Sequence, residues 1–179
     1  MARGNSILDK YPQWALLEVA GAASNTGISV QRLVTGITTM QKMGWEIIRC
    51  EYRLPLDWIT HAVLQAANNF VQLGISQSNS LLQPMNFNNP SLLDLLEYVE
   101  QQVVTAVGVL KYGNRPIIHD FGNNPILCIP ANIHAILNWA TTGALNTSLC
   151  QIRVWYREVE LGPEDWYDLL QLRLPLGAI

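Results

Sequence analysis

The stretch CQIRVWYREVELGPEDWYDLLQLRLP, residues 150–175, constrains this chain most. Its first half alternates, with Ile152, Val154 and Tyr156 on one face of an extended backbone and Arg153, Trp155 and Arg157 on the other. A period of two is the mark of a half-buried strand. The apolar parity then moves to Val159 and Leu161, as a β-bulge at Arg157–Glu158 would make it. Gly162-Pro163 stops the strand. The tail that follows has helical spacing at Trp166, Leu169, Leu170 and Arg173, with acidic residues where the helix dipole favours them. So short a helix does not stand alone in water. It docks on its own sheet or on a neighbouring molecule.

The rest of the chain carries the same kind of signal. GWEIIRCEYRLP is a strand, with Ile48, Cys50, Tyr52 and Leu54 on one face and Trp45, Arg49, Glu51 and Arg53 on the other. SNTGISVQRLVTGITTM reads as a strand, as does VVTAVGVLKYG before the Gly113-Asn114 turn. RPIIHDFGNNPILCIPANIHAILNWATTGALNTS is a series of short apolar runs divided by turn residues. Helical expectations fall on YPQWALLEVAGAA and on PSLLDLLEYVEQQ, the latter with proline at its first position, while DWITHAVLQAANNFVQLGISQS reads equally as a short helix at its start or as a loop followed by a strand from Asn69 to Ser76. Many short strands without regular βαβ alternation indicate an all-β antiparallel β-sandwich. The count fits a single jelly roll of about eight strands, with short helices at the termini and in one crossover. Its expected core includes Ile48, Cys50, Tyr52, Val107, Val109, Ile152, Val154 and Tyr156. The expected division is an N-terminal segment 1–24, a sandwich 25–161 and a C-terminal helix and tail 162–179.

Composition bears on what this sandwich meets. The chain has 179 residues, one domain by length, and only 14% of them are charged, against an average near 25%. Its 14 Asn and 11 Gln equal all the charged residues in number, and Arg outnumbers Lys eight to three. A surface poor in charge and rich in Trp and Arg suits burial against neighbours. The net charge of −3 and an N-terminus with one Arg and one Lys do not suit phosphate neutralisation. No apolar run is long enough for a helix to span a bilayer, and no signal peptide is read. The three cysteines are scattered in apolar stretches, which suits buried free thiols.

A search for chemistry finds no phosphate-cradling glycine loop, no HExxH and no GxSxG elbow. His61, His119 and His134 are isolated, and His119-Asp120 reads as a strand-end histidine beside a turn-forming aspartate. No metal, cofactor or catalytic residue is expected. Glu46, Glu51, Glu158 and Glu160 alternate with arginines on the two best strands, as cross-strand or inter-subunit ion pairs do. Trp45, Trp139 and Trp155 suit packing or subunit contacts, with a sugar-stacking platform as the other use of such residues.

GWEIIRCEYRLP, RPIIHDFGNNPILCIPANIHAILNW and NTSLCQIRVWYREVELGPEDWYDLLQLR together resemble a single jelly-roll viral capsid protein, in layout from about residue 25 to residue 173. The resemblance implies a virion protein whose many copies form an icosahedral shell, located in the virion and in host cytoplasm during assembly. Other capsid proteins and an internal viral membrane are further partners that it allows, without sequence-specific nucleic-acid binding. The subunit-contact candidates are Trp45, Arg49, Arg53, Arg153, Trp155, Arg157, Trp166, Tyr167 and Leu170. Two other classes stay open: a carbohydrate- or receptor-binding jelly roll, and a cupin-like enzyme with His119 or His134 among carboxylates.

Overall fold

The structure, a computed structural model, describes residues 6–7, 11–22, 24, 26–35, 42–54, 70–78, 89, 91–99, 116–140 and 149–171. Ten strands lie in these residues: β1 Ser6–Ile7, β2 Gln13–Ala20, β3 Thr26–Arg32, β4 Met43–Arg53, β5 Phe70–Ser76, β6 Leu92–Val99, β7 Ile117–Asp120, β8 Ile126–Cys128, β9 His134–Ala140 and β10 Leu149–Glu160. A 3-10 turn, Pro130–Asn132, precedes β9, and one helix, α1 Pro163–Gln171, follows β10.

The strands form two antiparallel sheets. One runs β2–β10–β4–β7, with β1 beside the end of β10 and β8 beside the start of β4; the other runs β3–β9–β5–β6. The chain changes sheet at most steps, staying in one only at β1–β2, β5–β6 and β7–β8. This makes β4 and β10 neighbours across about a hundred residues. Two four-lane sheets joined in this way are a jelly roll.

The inward positions follow the strand period. Leu17 and Val19 of β2, Cys50 and Tyr52 of β4, and Cys150, Ile152, Val154 and Tyr156 of β10 face Val71, Leu73 and Ile75 of β5 and Ala135, Leu137 and Trp139 of β9. A Cβ on Gly27 would lie 2.5 Å from the Trp139 ring, so this glycine is what lets the indole lie against β3.

Several expectations change. Residues 13–20 are not helical but a strand, and β1 and β2 place part of residues 1–24 inside the six-stranded sheet. ALLEVA has helical propensity, but β10 offers β2 a full ladder of backbone partners from Leu149 to Tyr156, and such tertiary pairing outweighs propensity. Residues 92–99 are likewise β6, not a helix. Ile48 is not a core residue. Trp155 pairs with Arg49 and Tyr156 with Ile47, so Ile48 is the extra residue of a bulge in β4. Before it Trp45 and Ile47 point inward, after it Cys50 and Tyr52 do. Trp45, expected at a subunit contact, is only 2% exposed and stacks on Tyr156 with ring centroids 3.6 Å apart.

The parity change in β10 has another cause than the expected bulge at Arg157–Glu158. Pairing with β4 continues in regular register from Tyr156 to Glu160. What changes is the buried face. Val159 and Leu161 lie under α1 with Ile129, Ala131, Trp166 and Leu169, in a second apolar cluster on the outer side of the sheet. Gly44, paired with Val159, makes room for Leu161, since a Cβ there would lie 2.8 Å from that side chain. Val107 and Val109 lie outside the described residues, as do His61 and the segment 57–69 that the sequence leaves open between a short helix and a loop.

Candidate subunit interface

The outer face of the six-stranded sheet is built row by row from its registers. One row reads Trp14, Trp155, Arg49, Asp120; the next reads Leu16, Arg153, Glu51, Ile118; a third reads Glu18, Gln151, Arg53. Each row takes residues from strands far apart in sequence. Outward positions alternate with the core positions, so the charge and aromatic content of this face follows from the period of β2, β4 and β10.

Glu51 is its hub. Arg49 Nη2 lies 2.8 Å from Oε1, Arg153 Nη1 lies 3.4 Å from Oε2, and Trp155 Nε1 donates to Oε1 at 3.2 Å. The Arg153 guanidinium sits 5.2 Å from the centroid of the Trp14 ring, and Gln151 Nε2 donates to Glu18 Oε1 at 2.8 Å. Cross-strand pairs of this kind hold side chains in register. Around them large apolar groups lie open: Trp14 is 54% exposed, Leu149 52% and Ile118 46%, with Leu16 and Tyr11 also exposed. Beside the hub a depression of about 430 Å³ is lined by Pro12, Arg49, Asp120, Asn123, Trp155 and Arg157 among others.

Of the nine subunit-contact candidates, Arg49, Arg53, Arg153, Trp155 and Arg157 occupy this outer face. Tyr167 is exposed on α1, and Leu170 packs at the edge of the cluster beneath it. Trp45 and Trp166 are buried in their own chain, which removes both from the surface open to a neighbour. Sequence reasoning missed Trp14, Leu16 and Ile118. The first two were hidden by the helical reading of 11–23. The third sits in a four-residue strand, too short for a clear period.

The second polar assembly lies between the sheets. Asp94, opposite Ile75 and so on the inner face of β6, accepts from the Tyr52 hydroxyl at 2.6 Å and from Leu95 N–H at 2.9 Å. His119 Nδ1 lies 3.0 Å from both Asp94 oxygens. Cys50 is the cross-strand partner of His119. A thiol beside a histidine and a carboxylate is the parts list of a nucleophilic cysteine, which works as the thiolate. Here burial, then the Asp94 charge, push the Cys50 thiol far above its ordinary range. Burial also raises the Tyr52 phenol. The cluster ties the two sheets together: a carboxylate in an apolar interior is tolerated only when its oxygens are satisfied. His119 thus pairs with Asp94 and not with its sequence neighbour. Asp120 makes the expected turn, its Oδ1 accepting from Gly122 N–H at 2.9 Å, with Gly122 at φ +50°. His134 is buried in β9. Among the described residues no group of three or more His, Cys, Asp or Glu side chains is placed to hold a metal ion.

No family model matches this chain, and no curated protein matches it in sequence. Solved structures are similar to it. The crystal structure of tomato aspermy virus aligns at 11% identity and TM-score 0.42, over 82% of this chain and 77% of that one. The unassembled VP1 pentamer of Merkel cell polyomavirus aligns at 11% identity and TM-score 0.49, over 88% and 98%. That of KI polyomavirus aligns at 12% identity and TM-score 0.43, over 89% and 99%. All three are from viruses.

Proposed function

We propose that this chain is a structural virion protein, a jelly-roll capsid subunit whose copies assemble into an icosahedral shell, with no catalytic role. The observation that carries the reading is the outer face of the six-stranded sheet, where Trp14, Leu16, Ile118 and Leu149 stand exposed around an Arg–Glu–Trp array. Aromatic and Arg side chains with exposed aliphatic neighbours are the composition of an interface core. A surface with 14% charged residues in the whole chain is a poor one to leave in water. The partner is first of all another copy of the chain. Other capsid proteins and an internal viral membrane are further partners, and the sites of residence are the virion and, during assembly, host cytoplasm. The net charge of −3 gives the chain no general attraction for nucleic acid.

Sedimentation velocity of the full-length chain, beside Trp14→Ser and Leu16→Glu variants, tests this. The wild type is expected to sediment as large, closed species at micromolar concentration. The variants are expected to sediment as small ones with an unchanged β-type circular dichroism spectrum. A wild type that stays monomeric at every concentration and salt overturns the reading. Variants that assemble as the wild type does remove this face from the interface.

A further inference from the structure

We propose that the exposed acidic edge of α1 from one copy seats in the Arg49–Arg157 depression on the outer sheet face of the next copy. This deepens the shell reading and rests on it. Two surfaces of the same chain carry opposite needs. In the depression, Arg49 and Arg157 each have an Nε that is shut off from water and bonded to nothing. Arg49 at least shares its Nη2 with Glu51, whereas Arg157 has no ion pair with any described residue. An Nε closed to water is equally closed to a carboxylate from outside, so what the depression offers a neighbour is the positive charge of its two guanidiniums, Arg157 above all. Asp120 is the one carboxylate of the lining among the described residues, and one of its oxygens is engaged by Gly122 N–H.

The complementary surface is α1. Trp166 and Leu169 anchor the helix on its own sheet, leaving Glu164, Tyr167 and Asp168 exposed. Glu164 and Asp168 stand four residues apart, so two like charges share one stripe, and the last turn of α1 holds no basic residue. Such a pair destabilises an isolated helix slightly, and a cation from outside reverses the sign. Neither carboxylate is paired with a described residue. A guanidinium meeting a carboxylate makes short, charge-assisted bonds, and Trp155 in the lining offers Tyr167 an aromatic neighbour. The helix and the depression are different patches of one chain, so the contact is head to tail. Contacts of this type close into rings when the rotation between copies allows.

The test is charge exchange in the full-length chain, read by sedimentation velocity and circular dichroism. Arg157→Glu alone and Asp168→Arg alone are each expected to raise the concentration needed for assembly about tenfold or more. The double variant, with the charges exchanged, is expected to recover most of that loss. If a reversal disturbs the fold, Arg157→Gln and Asp168→Asn are read instead, with a smaller shift in the same direction. A wild type that assembles while the single variants assemble equally well overturns the docking alone. So does a double variant no better than the singles. A wild type that never assembles takes the shell reading down with it.

Discussion

Asp94 is the residue whose loss is felt on both sheets. Its carboxylate receives the Tyr52 hydroxyl and His119 Nδ1 from the sheet opposite. Asp94→Ala takes from the Tyr52 hydroxyl, on a residue 1% exposed, its carboxylate acceptor and leaves it only the weaker Cys50 sulfur. The expected cost is about 1–3 kcal/mol for a buried group that loses its charged partner, on top of the looser His119. Asp94→Asn keeps an acceptor and is expected to cost less; urea denaturation of both variants measures the difference, and equal stability of Asp94→Ala and wild type contradicts the role. The thiols give a pH dependence. Burial raises Cys50 and Cys150 above the ordinary thiol range. Their folded forms therefore hold the proton longer than the unfolded chain does. The associated stability is complete below about pH 8.5, where unfolded thiols are still protonated, and is lost as pH rises beyond it. The expected slope approaches about 1.4 kcal/mol per pH unit for each thiol above about pH 9. Tyr52 adds to the loss above about pH 10, because its phenol is raised too. Denaturation midpoints taken from pH 7 to pH 10.5 check this, and a flat profile refutes it.

At the scale of elements, legibility in the sequence followed how many constraints acted on one segment. β10 was plain because it is central, with one face in the core and the other open, so its period survives over eight residues. The outward Arg and Trp residues of the candidate interface were read for the same reason. β4 was read as one period although Ile48 interrupts it, and the bulge moved Trp45 from the surface to the interior. β2 and β6 were lost to helix propensity: ALLEVA and SLLDLLEYV are helix-forming runs, and only partners remote in sequence make strands of them. With β6 went Asp94, and with β2 went Trp14 and Leu16. α1 was legible from its caps and spacing, but the target of its docking was not, since Val159 and Leu161 looked like a parity slip. Removing residues 163–179 is expected to uncover Val159, Leu161 and Ile129 while leaving the β-type circular dichroism in place. Burying Trp166 alone is worth about 2 kcal/mol or more. The truncated chain is therefore expected to melt lower and to bind a hydrophobic dye. Unchanged melting and no dye binding contradict the covering role of α1.

For the whole molecule, the jelly roll supplies a rigid double layer whose six-stranded sheet has one face in the core. At one end of its other face α1 covers apolar residues, and along the rest Trp14, Leu16, Ile118 and Leu149 remain exposed. Monomers rarely leave large apolar groups together in water without a use for them. Each contact between copies can be weak when many act at once, because closure multiplies their effect. The central claim is that copies of this chain build a closed shell. Electron microscopy of the concentrated full-length protein tests it most directly. The expected result is closed particles of uniform diameter whose subunits meet through the outer sheet face. A field of separate, monomer-sized particles under every assembly condition tried contradicts it.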